Sequence, residues 1–141
     1  MRRLRILIVE DDKNIHDLYS TSLAQVGHDK IQARFALNGK EALEIYQAWH
    51  PDILVLDIWM PVMTGYLVLQ EIRNAFADDS TTVIMSTSAA NSTDIKDCIK
   101  FGIQGYILKP FTVEEVGNKI MHYFENHRGK VLQNNLPPVI N

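Results

Sequence analysis

Asp57 closes an unbroken apolar run, Ile53-Leu54-Val55-Leu56, and is followed by Met60-Pro61 and then Gly65. Two other runs end in matching chemistry. Ile6-Leu7-Ile8-Val9 meets Glu10-Asp11-Asp12, and Tyr106-Ile107-Leu108 meets Lys109-Pro110. Apolar runs of this kind read as parallel strands buried on both faces. Such strands deliver the residues at their carboxyl ends to the crevice where open α/β sheets bind ligands. Several acids and a lysine would converge at one mouth. Converging carboxylates repel one another unless protons or a cation neutralise them, and a hard divalent ion with oxygen ligands, Mg²⁺ first, meets that need. An ion held by few protein oxygens keeps positions open for phosphoryl oxygens, and Lys109 adds a point charge for the same group. The chemistry that follows is phosphoryl transfer. Asp57 would attack phosphorus in line while the cations absorb charge on the equatorial oxygens, leaving an acyl phosphate on Asp57.

The elements that must position these groups alternate regularly. After a strand at residues 4–9, Ile15, Leu18, Tyr19, Leu23 and Val26 recur near helical spacing until Gly27. Residues 31–36 form a weaker strand. Asn38-Gly39 opens a helix with Ala42, Leu43, Ile45 and Tyr46 on its apolar side, and His50-Pro51 ends it. Residues 53–57 are the third strand, followed by a helix from Gly65 to Phe76. Residues 82–87 are the fourth strand, and Ser92 can cap a helix running to Phe101, closed by Gly102. Residues 105–108 are the fifth strand, and Thr112 with Glu115 makes a capping-box start for the last helix. Strands alternating with helices imply right-handed crossovers and a parallel five-stranded sheet covered on both faces, a three-layer α/β/α architecture. After His127 the pattern breaks, and Gly129, Asn134-Asn135 and Pro137-Pro138 read as a tail or linker. The expected division is a domain over 1–127 and a tail over 128–141.

Composition narrows the function classes. At 141 residues the chain is expected to be one domain. The 14 basic residues against 17 acidic ones, with no basic run beyond Arg2, Arg3 and Arg5, argue against direct nucleic-acid binding. Cys98 is the one cysteine, so an intrachain disulfide is excluded and a reducing compartment is the simpler reading. The basic start meets Glu10-Asp11-Asp12 too soon for a signal peptide, and no apolar stretch approaches the ~18 residues of a membrane span. A soluble, cytoplasmic protein is expected.

On these residues the chain resembles the receiver domains of two-component response regulators, with the flavodoxin-like doubly wound fold that chemotaxis-type single-domain regulators share. The resemblance covers residues 4 to about 125. It is carried by Glu10-Asp11, Asp57 with Met60-Pro61 and Gly65, Thr87, and Lys109-Pro110-Phe111. It implies that Asp57 is the phosphoacceptor and that Glu10, Asp11, Asp57 and the backbone carbonyl of Trp59 hold Mg²⁺. Lys109 would pair with the phosphoryl group and Thr87 would hydrogen-bond it. The Lys109-Pro110 bond would be cis. Tyr106 is a half-buried core aromatic on its own evidence, and by resemblance a ring that turns inward on activation. The implied donor is a histidine kinase or phosphotransfer protein. The implied output is an effector or output domain engaging the fourth helix, fifth strand and fifth helix, here Ile95, Ile99, Ile103 and Tyr106. A phosphorylation-dependent dimer would be compatible with that face.

Simpler roles compete at several positions. Asp57 could cap a turn, Asp12 is better suited to capping the first helix than to binding metal, and Lys109 alone could be a solvated lysine. Ser86, Thr87 and Ser88 offer three hydroxyls that could merely satisfy backbone groups; the family spacing selects Thr87. The five histidines lack paired metal spacing and read as surface residues. Two positions depart from the family pattern: Thr64 stands where Asp is common, and Trp59 stands where side chains are usually smaller or polar. The Trp59 indole would shield an acyl phosphate from water, form a contact surface, or simply stand as a partly exposed aromatic beside the loop. An Asp-nucleophile phosphatase of the haloacid-dehalogenase type would need a second acid at position 59. A flavodoxin-type carrier would need a phosphate loop where Glu10-Asp11-Asp12 stands. A receiver-like module that only binds partners is disfavoured by the full set of active residues.

Overall fold

A computed structural model of the chain describes residues 2–88 and 92–134, apart from the side chains of residues 28, 92, 93 and 130–134. The capping role expected of Ser92 and the tail beyond Asn134 lie outside the described residues. The elements are β1 (Leu4–Val9), α1 (Lys13–Gly27) with a 3₁₀ turn (His28–Lys30), β2 (Ile31–Ala36), α2 (Gly39–Trp49), β3 (Ile53–Asp57), α3 (Gly65–Gln70), β4 (Thr82–Ser88), α4 (Ser92–Phe101), β5 (Gly105–Lys109) and α5 (Val113–Asn134). All strand pairs are parallel, in the order β2-β1-β3-β4-β5. The order reverses between β1 and β3, and the crevice at such a reversal is where this architecture places ligands.

Side chains alternate across a strand, so each central strand feeds two cores. Leu7, Val9, Leu54, Leu56, Val83 and Met85 pack against α2, α3 and α4. Ile6, Ile8, Ile53, Val55, Ile84 and Ile107 pack against Tyr19 and Leu23 of α1 and Val116 and Ile120 of α5. β3 is buried along its whole length, which is why its sequence is apolar without alternation. The edge strands β2 and β5 carry the mixed residues.

Two helices differ from the reading of the sequence. The third is not a single α-helix over 65–76: after α3 the chain widens into a π segment, Glu71–Ala75, closed by Phe76 N–H donating to the Glu71 carbonyl at 2.9 Å. The wider turn leaves two consecutive side chains, Ile72 and Arg73, buried. The last helix does not stop at His127 but continues to Asn134. A Cβ at Gly129 would meet nothing within 4 Å, so that glycine faces open space. It weakens the helix by only about 1 kcal/mol rather than ending it. Among the described residues neither side-chain bond of the expected capping box appears: the Glu115 N–H donates to the Thr112 backbone carbonyl at 3.2 Å, and the Glu115 carboxylate lies 3.8 Å from the Lys119 ammonium.

Arg73 ties the π segment to the far end of the sheet. Its guanidinium donates to the carbonyls of Gly102 (2.9 Å), Asp78 (2.6 Å) and Thr81 (2.9 Å) and to Gln104 Oε1 (3.0 Å). Burial lowers its pKa while Asp78 and Asp79 support the charge. Truncation would leave several buried acceptors without donors. Arg73→Ala should therefore cost about 3 kcal/mol in urea unfolding, and a loss under about 0.5 kcal/mol would show that water satisfies those carbonyls instead.

Candidate functional site

On the sheet face covered by α1 and α5, the apolar rows give way to polar residues at the carboxyl ends of the strands. Two residues beyond Ile8, Val55, Ile84 and Ile107 stand Glu10, Asp57, Ser86 and Lys109. The Glu10 N–H still donates to the Ala36 carbonyl at 3.0 Å, so the strand geometry carries its side chain onto this face. Glu10 is 2% exposed and Asp57 8% exposed. Lys109 Nζ bridges them, donating to Glu10 Oε1 at 2.7 Å and to Asp57 Oδ2 at 2.8 Å. The Lys109-Pro110 peptide bond is cis. Asp57 Oδ1 accepts the Trp59 N–H at 3.2 Å.

Asp11 is exposed, and one oxygen from each of Glu10, Asp11 and Asp57 fits within a common 4.8 Å span. Three carboxylates face one ammonium, so full ionisation leaves an excess of two negative charges. Burial and charge act together on these groups. Burial, aided by Asp57 and opposed by Lys109, pushes Glu10 up to about 7. Burial also works against the Lys109 ammonium, but the hydrogen bonds to Asp57 and Glu10 outweigh it and raise its pKa. Lys109 therefore stays charged. Glu10 Oε2 is buried and has no hydrogen-bond partner among the described residues. A hard divalent cation fits this donor set, since it would supply the missing charge and use the orphaned oxygen.

The loop after β3 is shaped by close approach. Gly65 N–H donates to the Ile58 carbonyl at 3.0 Å, and a Cβ on Gly65 would lie 2.1 Å from the Asp57 carbonyl oxygen. Thr64 accepts the Leu67 N–H at 3.3 Å and caps α3, so its departure from the family pattern is absorbed locally. Val62 sits at φ 71°, where a β-branched residue is strained.

The remaining candidates are placed less centrally. The Thr87 hydroxyl donates to the Ser88 carbonyl at 3.3 Å, and alternation turns it to the face opposite Asp57. Tyr106 is 44% exposed, so its ring is turned outward, and its carbonyl accepts the Tyr123 hydroxyl at 3.2 Å. The Trp59 indole is 58% exposed and donates to Asp94 of α4 at 3.2 Å. Asp12 accepts the Asn14 N–H at 2.9 Å at the start of α1. Two contributors were missed by the reading of the sequence. His16 is not a bare surface residue, because its Nε2 meets the Glu10 carbonyl at 2.8 Å and its ring stacks on Phe35. Ser86 is the hydroxyl level with Asp57, a fact that strand alternation suggests only once the β3–β4 register is known.

The fold and site together define a phosphoacceptor switch at the mouth of a doubly wound sheet. Residues 6–121 match the response regulator receiver domain family, and the chain belongs to it. A probable transcriptional regulator, ycf27, of Porphyridium aerugineum is 33% identical over 137 residues, covering 97% of this chain and 55% of that protein. The crystal structure of NtrX from Brucella abortus superposes with a TM-score of 0.83 at 26% identity, covering 96% of this chain and 30% of that one. The Vibrio cholerae chemotaxis protein CheY4 gives 0.69 at 25% identity, covering 95% and 99%. The chain thus spans about half the length of the curated relatives it matches. Transcriptional regulators and a chemotaxis protein both appear among the relatives, so no chemotaxis subtype is singled out. As a receiver domain of two-component signalling, the chain carries Glu10, Asp11 and Asp57 as its acidic pocket for phosphorylation.

The Gly65 contact generates a direct prediction. Gly65→Ala must displace backbone, so it should destabilise by about 2 kcal/mol or more. It should also move the Asp57 and Ile58 amide resonances in an NMR spectrum. Unchanged stability and chemical shifts would mean that the loop has room the structure does not show.

Proposed function

We propose that Asp57 accepts a phosphoryl group from a phosphohistidine on a histidine kinase or phosphotransfer protein. We propose Mg²⁺ as the cation, held by Glu10, Asp11, Asp57 and the backbone carbonyl of Trp59. The observation that carries this reading is the convergence of three carboxylates on one lysine around a buried aspartate. Asp57 Oδ attacks phosphorus, the P–N bond to imidazole breaks, and its electron pair leaves with the histidine. When bound, Mg²⁺ supplies positive charge against the phosphoryl oxygens. Lys109 exchanges one of its carboxylate contacts for a phosphoryl oxygen, and the Trp59 amide keeps Asp57 oriented. By resemblance the Thr87 hydroxyl would leave the Ser88 carbonyl for the phosphoryl group, which requires the end of β4 to turn it from the face opposite Asp57, and Tyr106 would turn inward from its exposed position.

The result is a population shift at α4, β5 and α5, biased by the added ≈ −1.5 to −2 charge. Ile99, Tyr106 and Leu108 are exposed there, which suits docking to an effector, an output domain or a second copy. The domain acts in the cytoplasm and does not itself touch nucleic acid. Its unit is residues 1–127, with 128–141 a linker or tail that begins as an extension of α5. Among the described residues no helix is long and apolar enough to cross a membrane.

Incubation with acetyl phosphate and Mg²⁺ should add one phosphoryl mass, located on Asp57. Asp57→Asn should abolish it, because an amide cannot supply the nucleophile. Persistent labelling of Asp57→Asn, or equal labelling in EDTA, would contradict the acceptor or the metal.

A second expectation concerns pH. Glu10 holds its proton up to about pH 7 rather than about 4.5, and proton and metal compete for it. Mg²⁺ affinity measured by calorimetry should be full above that range and weaken below it, by up to about tenfold per pH unit. In EDTA the sign reverses for stability. A carboxyl whose folded pKa is raised makes the metal-free fold more stable as pH falls from about 7 toward its unfolded value. A flat affinity between pH 6 and 8 would show that Glu10 is ionised throughout.

A further inference from the structure

Ser86 is a buried hydroxyl that the reaction above leaves unused. It is paired in register with Asp57, lies two residues beyond core Ile84 on the same face, and is 1% exposed. Among the described residues its Oγ has no hydrogen-bond partner. A hydroxyl in that state forfeits its interactions with water and gains nothing in exchange. From α1, Tyr19 enters the same layer. It is equally buried, packed in the cluster of Val55, Ile84 and Ile107, with its ring 5.1 Å from Phe111. Burial first, and then the charges of Glu10 and Asp57, raise the pKa of its hydroxyl, which Ser86 counteracts. Tyr19 and Ser86 thus share one buried layer of the core beneath the carboxylates, although among the described residues Ser86 does not close a bond at ordinary distance.

We propose that Tyr19 and Ser86 are positioning residues for phosphoryl transfer, forming a buried chain in which Tyr19 donates to Ser86 and Ser86 donates to Asp57. A serine oxygen can accept one bond while donating another, and a carboxylate oxygen has room for more than one donor. Lys109 reaches Asp57 Oδ2 and the Trp59 amide reaches Oδ1. Neither contact fixes the carboxylate from the core side. When Lys109 turns to the phosphoryl group, Asp57 loses one donor, and rotation of Ser86 Oγ supplies another. Because the members polarise one another, the chain works as a unit. This inference rests on Asp57 as acceptor and adds what holds it in line.

The test follows acetyl phosphate labelling of Asp57 in the full chain with Mg²⁺, together with urea unfolding. Ser86→Ala and Tyr19→Phe should each slow labelling about three- to tenfold, the rate equivalent of one hydrogen bond. The double variant should be no slower than Ser86→Ala, since Tyr19 acts through Ser86. Ser86→Thr, which restores a hydroxyl, should recover the rate, while Ser86→Ala should be at least as stable as the wild type because it removes an unpaired buried group. Wild-type rates in both single variants, additive losses in the double variant, or failure of Ser86→Thr to recover the rate would overturn the chain. Those outcomes differ from failure of the acceptor assignment, in which Asp57→Asn would itself remain labelled.

Discussion

Lys109 holds two buried carboxylates within hydrogen-bond distance of one ammonium, and the mouth of the sheet is organised around that bridge. Burying Glu10 and Asp57 together without a cation would be prohibitive, whereas one shared lysine makes the arrangement tolerable without neutralising it. Burial, with Asp57 adding to it, still raises the pKa of Glu10 despite the lysine. A site in this condition responds to any added charge. A divalent ion would relieve it, and a phosphoryl group on Asp57 would compete for the lysine. The proposed link from structure to function is thus a local charge excess, and the sheet supplies the rigidity that keeps the groups from moving apart.

Much of this was legible because buried strands leave plain marks. The runs ending in Asp57, Glu10 and Lys109 announced three strand mouths, and the alternation of helical and strand patterns gave the layers. What could not be read was register and side-chain direction. Ser86 and Thr87 are adjacent hydroxyls, and only the pairing of Ser86 with Asp57 shows which one shares its face. Tyr106 is apolar enough for a core position, yet β5 is an edge strand and its ring lies outward. α5 runs past His127, where the sequence pattern breaks, because Gly129 sits on an open face and there only weakens a helix. The π segment depends on the inward turn of Arg73, whose acceptors come from distant loops.

The loop between β3 and α3 shows how tightly local backbone and chemistry are joined. Gly65 lets it pass against the Asp57 carbonyl, and Val62 absorbs a left-handed conformation. Trp59 contributes its amide to Asp57 while its indole reaches across to Asp94. That tie makes the indole a link between the reacting loop and α4. A side chain so exposed and so directed favours a contact surface over a cover for the phosphoryl group.

The charge excess can be tested directly by titrating Mg²⁺ calorimetrically into the wild type and Lys109→Met over a series of pH values from 8 upward. Lys109 holds the Glu10 pKa down, and its removal shifts the proton's competition with the metal to higher pH. Removing the ammonium leaves three carboxylates unopposed, so the account predicts that the variant binds Mg²⁺ more tightly than the wild type. Weaker or absent binding in Lys109→Met would contradict it, because the lysine would then be building the cation site rather than competing with its occupant.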